Sequence, residues 1–263
     1  MKKINFILII VLSITLFGTS CKKPLNIFSV EDDIQFGAQF DAEIMSNPQF
    51  VILSESQYPE AYDMINQFKT KLLATGKVDY VDRFAWKVRI IDDRETVNAF
   101  AVPGGYMYFY TGLIKTLDNE AQFAGVMAHE MAHVSQRHST AQLTKAYGID
   151  LMLSMLLGKN SNQWVDIATS LATGLVELKF SRNDEFEADK FAVIYTYETD
   201  WDARGVANFF EKMDSHTPTP VFLSTHPADK DRIKKVNEEW STLGGKQGEY
   251  YESRYEQFIN TLP

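Results

Sequence analysis

From Glu31 onward the apolar residues Ile34, Phe36, Phe40 and Ile44 recur at the spacing of one face of an α-helix. Ser29 stands just ahead of them and acids fill the first turn, so a helix is expected to start near residue 30. A second helix is expected from about Pro59 to Thr75, with Met64, Phe68 and Leu72 on one stripe. The period then shifts to two. AWKVRIID (Ala85–Asp92), NAFAV (Asn98–Val102) and YMYFYT (Tyr106–Thr111) read as strands, and Pro103-Gly104-Gly105 makes the last two a hairpin or a sharply bent strand. From Asp118 the pattern is helical again. Asp118 or Asn119 can cap a helix carrying Phe123, Val126 and Met127, followed by LMLSMLL, WVDIATSLATGLVEL and RNDEFEADKFAVIYTY, with breaks at Gly158–Ser161 and near Phe180-Ser181. TPTPVFLSTHP (Thr217–Pro227) reads as a proline-punctuated loop, ADKDRIKKVNEEW as a helix, and a turn at Gly244-Gly245 leads to a last polar helix ending near Thr261. A small sheet among many helices gives the expected class, α+β and mostly α-helical.

The first twenty residues follow a different rule. Met1-Lys2-Lys3 is a basic start, Phe6 to Phe17 is an uncharged apolar run, and Gly18, Thr19 and Ser20 lead to Cys21. A run this short is an export-signal core, since a membrane-spanning helix needs about 20 apolar residues. Cys21, the only cysteine, stands where a bacterial lipoprotein signal places the residue to be lipidated, although Gly18 replaces the usual Leu three positions before it. The expected organisation is a signal peptide over residues 1–20, a linker over 21–28 after a lipidated Cys21, and a single domain over 29–263. The expected location is the periplasmic side of a bacterial cell envelope, tethered by lipid to a membrane, the outer one. With 45% hydrophobic residues in 263, the chain can bury one sizeable core. A formal net charge of −9 with no basic cluster past the first residues argues against nucleic acid as a partner.

The sharpest chemistry lies in GVMAHEMAHVSQRH (Gly125–His138), which holds three of the five histidines in the chain. On a helix, residues four apart share a face, so His129 and His133 aim both imidazoles at one point. Zinc, with Zn–N bonds of about 2.0–2.1 Å, can bridge them. Glu130 points beside that point rather than at it, the place of a carboxylate base acting on a water. His138 is five residues from His133, on the wrong side of a continuous helix, and reads as structural. A third ligand is still needed. Gln136 and Ser139 stand where a third-histidine pattern of the HExxHxxGxxH type would need Gly and His, so that class is out, and the second place to look is a later helix with a Glu followed by an Asp at i+4, as in gluzincins. SRNDEFEADKFA supplies one: Glu185 and Asp189 lie one turn apart, Glu185 as the third ligand and Asp189 as the carboxylate that orients His129. Glu187, between them, points elsewhere.

These segments, NAFAVPGGYMYFYTGL, HEMAHVSQRH, FSRNDEFEAD and STHPADKDRI in this order, resemble metallopeptidase family forty-eight, a gluzincin family of zinc metallopeptidases. The resemblance runs from about Glu31 to Trp240 and is to its soluble envelope branch, without a tetratricopeptide tail. It implies one Zn²⁺ held by His129, His133 and Glu185, Glu130 as catalytic base and Asp189 as orienting group. It further implies that His226, which the residues alone leave unassigned, comes near the metal, to stabilise the oxyanion or to plug the open coordination position. Arg232 is implied to brace the His226 loop. The AVPGGYMYFY strand is implied to bind substrate by strand addition, with Gly104, Gly105 and Tyr106 as the contacts. Tyr195 and Tyr197 are further candidates for the oxyanion. The expected function is hydrolysis of peptide bonds in unfolded or misfolded envelope proteins. The alternatives are a chaperone-like assembly factor with a largely latent metal site, and a binding module with a structural zinc.

Overall fold

The computed structural model describes residues 26–159, 161–174, 179–214, 218–227 and 229–263. The expected signal peptide, Cys21 and most of the linker lie outside the described residues. Helix α1 (Val30–Ser46) starts where the spacing placed it, closed by a reciprocal cap: Ser29 Oγ accepts from the Asp32 amide and the Asp32 carboxylate accepts from the Ser29 amide. Phe36, Phe40 and Ile44 point inward from it. Helix α2 (Pro59–Leu73) begins on its proline and buries Phe68 and Leu72.

The strands follow: β1 (Lys87–Ile91), β2 (Ala99–Val102) and β3 (Tyr106–Tyr110), in the order β1-β3-β2. β3 is parallel to β1 and antiparallel to β2, with Val102 opposite Tyr106. A 3₁₀ turn, Pro103–Gly105, closes the β2–β3 hairpin, and Gly104 takes φ 76° there against the backbone of α1. The unbroken apolar run of β3 has a physical reason, for both faces of the sheet are covered. Met107 and Phe109 enter one apolar cluster with Phe123, Val126 and Met127, while Tyr106, Tyr108 and Tyr110 enter another with Phe36, Phe40 and Trp164.

After α3 (Thr111–Thr116) comes α4 (Glu120–Ser135), capped by Asn119 Oδ1, which accepts from the Gln122 amide at 2.9 Å. Every residue of α4 is buried, the mark of a helix that runs through a core rather than over it. The chain continues as α5 (His138–Tyr147), α6 (Ile149–Leu156), α7 (Ser161–Thr173), α8 (Arg182–Tyr197), α9 (Gly205–Asp214), α10 (Phe222–Thr225), α11 (Lys230–Thr242) and α12 (Glu252–Ile259). The observed class is α+β and mostly helical. The structure departs from the expected outline at α3 and α9, which have no counterpart in it, at the break before α5, and at α10, one turn of helix that interrupts the Thr217–Pro227 loop. No helix among the described residues is long and apolar enough to cross a membrane.

α4 is wedged between the sheet and the pair α8 and α9. Its contact with α9 needs two glycines. A Cβ on Gly125 would stand 2.4 Å from the Val206 amide nitrogen, and one on Gly205 would stand 1.8 Å from the Ala121 carbonyl oxygen. Backbone cannot give way as a side chain does, so Gly125→Ala is expected to cost about 1–3 kcal/mol through overpacking. That corresponds to a fall in melting temperature of roughly 2–4 °C per kcal/mol for a domain this size, read by thermal denaturation. An unchanged midpoint would show that α9 moves aside at no cost.

Candidate metal centre

The full burial of α4 carries its two histidines to the middle of the protein, where the imidazole Nε2 atoms of His129 and His133 lie 3.0 Å apart. α8 brings Glu185 to the same point: Oε2 is 3.6 Å from His129 Nε2 and Oε1 is 3.5 Å from His133 Nε2. The chain leaving α10 adds a fourth donor. His226 Nδ1 lies 3.2 Å from His129 Nε2 and 3.0 Å from Glu185 Oε1. All four residues are buried, with one donor atom of each within 4.8 Å of the others. A tetrahedron with metal–ligand bonds of about 2.0–2.1 Å has edges of about 3.3 Å, so the donor set matches the size of a zinc site.

The surroundings hold these groups in place. Asp189 Oδ1 sits 2.9 Å from His129 Nδ1, on the side of the ring away from the donor cluster. Arg232 of α11 donates to both Asp189 oxygens at 2.6 and 2.7 Å, pairs with Glu185 Oε2 at 2.5 Å and donates to the Pro227 carbonyl at 3.0 Å. Its guanidinium also lies 3.9 Å from the centre of the Phe210 ring. One cation thus grips two site acids and the loop behind His226. Phe222 stacks on His226 with ring centres 4.4 Å apart, and Phe180 stacks on His133 at 3.9 Å.

Burial and charge set the protonation states. Burial drives the His133 pKa well below its ordinary value, which leaves the ring neutral and able to ligate. For Glu185, burial acts against the carboxylate, but Arg232, His226 and His133 outweigh it and hold the pKa well below the usual carboxylate range. Asp189 is lowered in the same way, with Arg232 overcoming burial. Burial disfavours a charged His226, yet Glu185 and Glu130 prevail and raise its pKa. Glu130 is pushed up, chiefly by burial, with His226 and His129 opposing. Among the described residues, three buried carboxylates, Glu130, Glu185 and Asp189, therefore share one permanent cation, Arg232. A divalent cation among the donors fits that imbalance.

Glu130 does not join the cluster. Its Oε1, 3.6 Å from His226 Nε2, is buried without a hydrogen-bond partner. Beside it is a cavity of about 20 Å³ lined by Phe100, Ala101, Glu130, Phe180, Thr225 and His226. That is room for about one water.

Several expected residues sit elsewhere. The Tyr195 hydroxyl is 2.8 Å from Ser135 Oγ and the Tyr197 hydroxyl accepts from the Lys246 amide at 3.2 Å, so each is engaged away from the donors. Gly104, Gly105 and Tyr106, expected as substrate contacts, lie outside the donor cluster. β3 is the central strand, so Tyr106 has neighbours on both sides, and the two glycines are packed in a buried turn against α1 and the residues before β1. The edge strands are β1 and β2, and it is Phe100 and Ala101 of β2 that line the cavity beside Glu130. His138 also stands where helical periodicity did not put it. α4 ends at Ser135, Arg137 takes a left-handed φ of 63°, and α5 starts anew at His138, whose Nδ1 comes within 3.1 Å of His133 Nδ1. Glu187 likewise reaches the site region, 3.2 Å from His138 Nε2.

Known proteins give this arrangement a context. The chain is 30% identical over 229 residues to the mitochondrial metalloendopeptidase OMA1 of Schizosaccharomyces pombe, covering 84% of this chain and 64% of that one. It is 24% identical over 228 residues to the human mitochondrial metalloendopeptidase OMA1, covering 74% and 43%. It is 28% identical over 154 residues to the beta-barrel assembly-enhancing protease of Escherichia coli, covering 54% and 32%. The chain thus spans from about a third to just under two thirds of the length of these relatives. Residues 65–240, the stretch that holds the whole donor cluster, match Peptidase family M48, and the chain belongs to that family.

Proposed function

We propose that the chain is a zinc-dependent metalloendopeptidase that cleaves unfolded polypeptides and is latent at rest. The observation that carries this reading is the convergence of His129, His133 and Glu185 on one buried point, with the unpartnered Glu130 oxygen facing an adjacent cavity. His129 and His133 would hold the ion through Nε2 and Glu185 through its carboxylate. A zinc ion there would supply Lewis-acid polarisation of the scissile carbonyl and lower the pKa of water toward about 7. Glu130, its carboxylate made more basic by burial, takes a proton from the attacking water and returns it to the leaving amine. Asp189 fixes the tautomer of His129, and Arg232 keeps Asp189 and Glu185 ionised.

His226 decides whether the site is open. Catalytic zinc sites keep one position for water or substrate, whereas four protein donors close it. With Nδ1 among the donors, His226 acts as a plug in this conformation, and the geometry favours that role over the oxyanion. Substrate adds along the outer edge of β2. Asn98 faces β3 through its carbonyl, so Val97, Ala99 and Ala101 present main-chain groups outward. The same four-donor closure supports a second reading, in which the protein is a chaperone-like assembly factor and the metal site is mainly regulatory.

Residues 29–263 are read as one peptidase domain. Residues 1–20 are read as a lipoprotein signal and Cys21 as the lipid anchor, which places the enzyme in the bacterial envelope with misfolded or stalled envelope proteins as substrates. Support comes from the basic, then apolar, then small-residue order up to Cys21, and from the bacterial beta-barrel assembly-enhancing protease among the relatives.

Two outcomes test the catalytic reading. Purified protein is expected to carry about one zinc per chain, and a chelator is expected to stop degradation of casein. Glu130→Gln should retain the zinc and lose at least about 10²-fold in casein turnover; undiminished turnover would remove the mechanism. His226→Ala should raise turnover, because it frees a coordination position. A fall would reassign His226 to the oxyanion, and no hydrolysis by either wild type or this variant would favour the assembly-factor reading.

A further inference from the structure

The three acids of EFEAD on α8 all reach the histidine region. Glu185 faces the donor point and Asp189 stands behind His129. Behind His133, on the side away from the donors, no carboxylate among the described residues makes a hydrogen bond or ion pair with Nδ1. There is a second imidazole: His138 Nδ1 is 3.1 Å from His133 Nδ1, and His138 Nε2 is 3.2 Å from Glu187 Oε2. His138 is buried, and Glu187 is partly exposed at 31%, lining an open pocket of about 270 Å³ together with Asp79, Ser135 and Gln136.

We propose that Glu187 and His138 form a two-step relay that sets the tautomer of His133, making both of them positioning residues for the metal centre. This inference rests on the metal-site reading above. The logic is a chain of donors and acceptors. A ring nitrogen that ligates must be unprotonated, so a neutral His133 that presents Nε2 to the donor point carries its proton on Nδ1. That proton needs an acceptor, and the atom facing it is His138 Nδ1. For that atom to accept, the proton of a neutral His138 must sit on Nε2, where the Glu187 carboxylate accepts it. Remove the carboxylate and the order is no longer fixed. His138 can then carry its proton on Nδ1 and donate it to His133, which moves the His133 proton to Nε2, into the donor cluster, where it opposes ligation. His129 gets the same result in one step from Asp189, because a carboxylate can only accept.

The backbone is shaped for this. The left-handed Arg137 breaks the helix after α4 and turns α5 so that His138 returns beside His133, with ring centres 5.1 Å apart. Arg137 is held there by Asp33 at 2.5 Å and by the carbonyls of Phe28 and Ser29 at 2.6 and 2.8 Å. The strain of a non-glycine residue at positive φ is thereby compensated by three bonds to the start of α1.

The test is zinc affinity of the full chain, by competition with a chromophoric chelator, for wild type, His138→Leu, His138→Asn, Glu187→Gln and Glu187→Leu, each checked for native circular dichroism. His138→Leu should weaken zinc binding by about 10–100-fold, the usual loss when such an outer support is removed. His138→Asn should stay within a few-fold of wild type, because the amide oxygen falls near the Nδ1 position and accepts the same proton. Glu187→Gln should also hold, since its amide oxygen still accepts from His138, whereas Glu187→Leu should weaken binding. The second readout is ¹⁵N NMR of His133 in the metal-free protein, expected protonated at Nδ1 in wild type and in tautomer exchange in Glu187→Leu. A folded His138→Leu with wild-type affinity would overturn the relay, as would His138→Asn as weak as His138→Leu. Wild type that binds no zinc would instead sink the metal-site reading itself.

Discussion

One buried guanidinium organises the centre of this protein. Arg232 is 1% exposed, and among the described residues it is the single permanent cation for three carboxylates taken out of water. Removing one charge from water costs several kcal/mol unless it is paired and hydrogen-bonded. Arg232 meets that demand for two of the acids directly, with a two-pronged grip on Asp189 and a contact to Glu185. The rest of the geometry follows from this pairing. It fixes α11 to α8, which sets where Glu185 faces, and it ties the Pro227 carbonyl, which sets where His226 hangs. Lysine could not replace it, because a point charge on a flexible stem cannot span two carboxylates and a carbonyl at once. What Arg232 leaves unbalanced is the negative charge at the donor point, and that residue of charge is what makes the point a cation site.

The second constraint is the complete burial of α4. A helix that must be apolar on all sides has no exposed face on which to dispose of polar groups, so each polar residue it carries needs a partner inside. His129 finds Asp189, His133 finds His138, Glu120 accepts from Trp201 Nε1 and Arg254, and Ser135 meets Tyr195. Two side-chain atoms of α4 stand without a hydrogen bond among the described residues: His129 Nδ1, whose approach to Asp189 at 2.9 Å is an ion-pair contact, and Oε1 of Glu130, the residue that borders the cavity. The same demand explains why the sheet is covered on both faces and why Gly125 and Gly205 face each other. α9 must come within backbone contact to seal the helix on the side the sheet does not reach.

What could be read from sequence was what a single helix or strand carries. HExxH and EFEAD are each local, two residues four apart on one helical face, so the positions of His129, His133, Glu185 and Asp189 were legible without knowing how α4 and α8 pack. Where a conclusion needed the path of the chain, the pattern was silent or misled. His226 is a lone histidine in a proline-rich loop, and only Arg232 and Phe222 show where that loop goes. His138 was placed by counting along one continuous helix, and the left-handed Arg137 breaks that count. Gly104, Gly105 and Tyr106 were expected to meet substrate through the family resemblance, and strand order, which alternation does not encode, decides which edge is open. The parallel pairing of β1 with β3 puts Tyr106 in the middle. Helix α9 did show apolar residues at Val206, Phe209, Phe210 and Met213, but it is short and starts at glycine, so periodicity alone gives it little weight.

Latency, on the proposed reading, draws on the same backbone groups as substrate binding. The loop bearing His226 is attached to the sheet by the Phe222 amide, which donates to the Val97 carbonyl at 3.1 Å. Val97 presents that carbonyl on the outer edge of β2, where an incoming peptide would pair, and Ala101 on the same edge accepts from Ser139 Oγ at 3.2 Å. A peptide laid along this edge therefore competes with the anchor of the plug. His226 also gains from staying: its ring is stacked on Phe222 and its amide donates to the Phe222 carbonyl at 2.9 Å, so ring and anchor move together. A plug held by a few such contacts is worth a few kcal/mol, enough to keep the open state at the per-cent level and small enough for a bound peptide to reverse. Short segments or folded proteins that cannot pair along the strand would leave the anchor intact, and selectivity for unfolded chains would then arise from the latch rather than from any pocket that reads side chains.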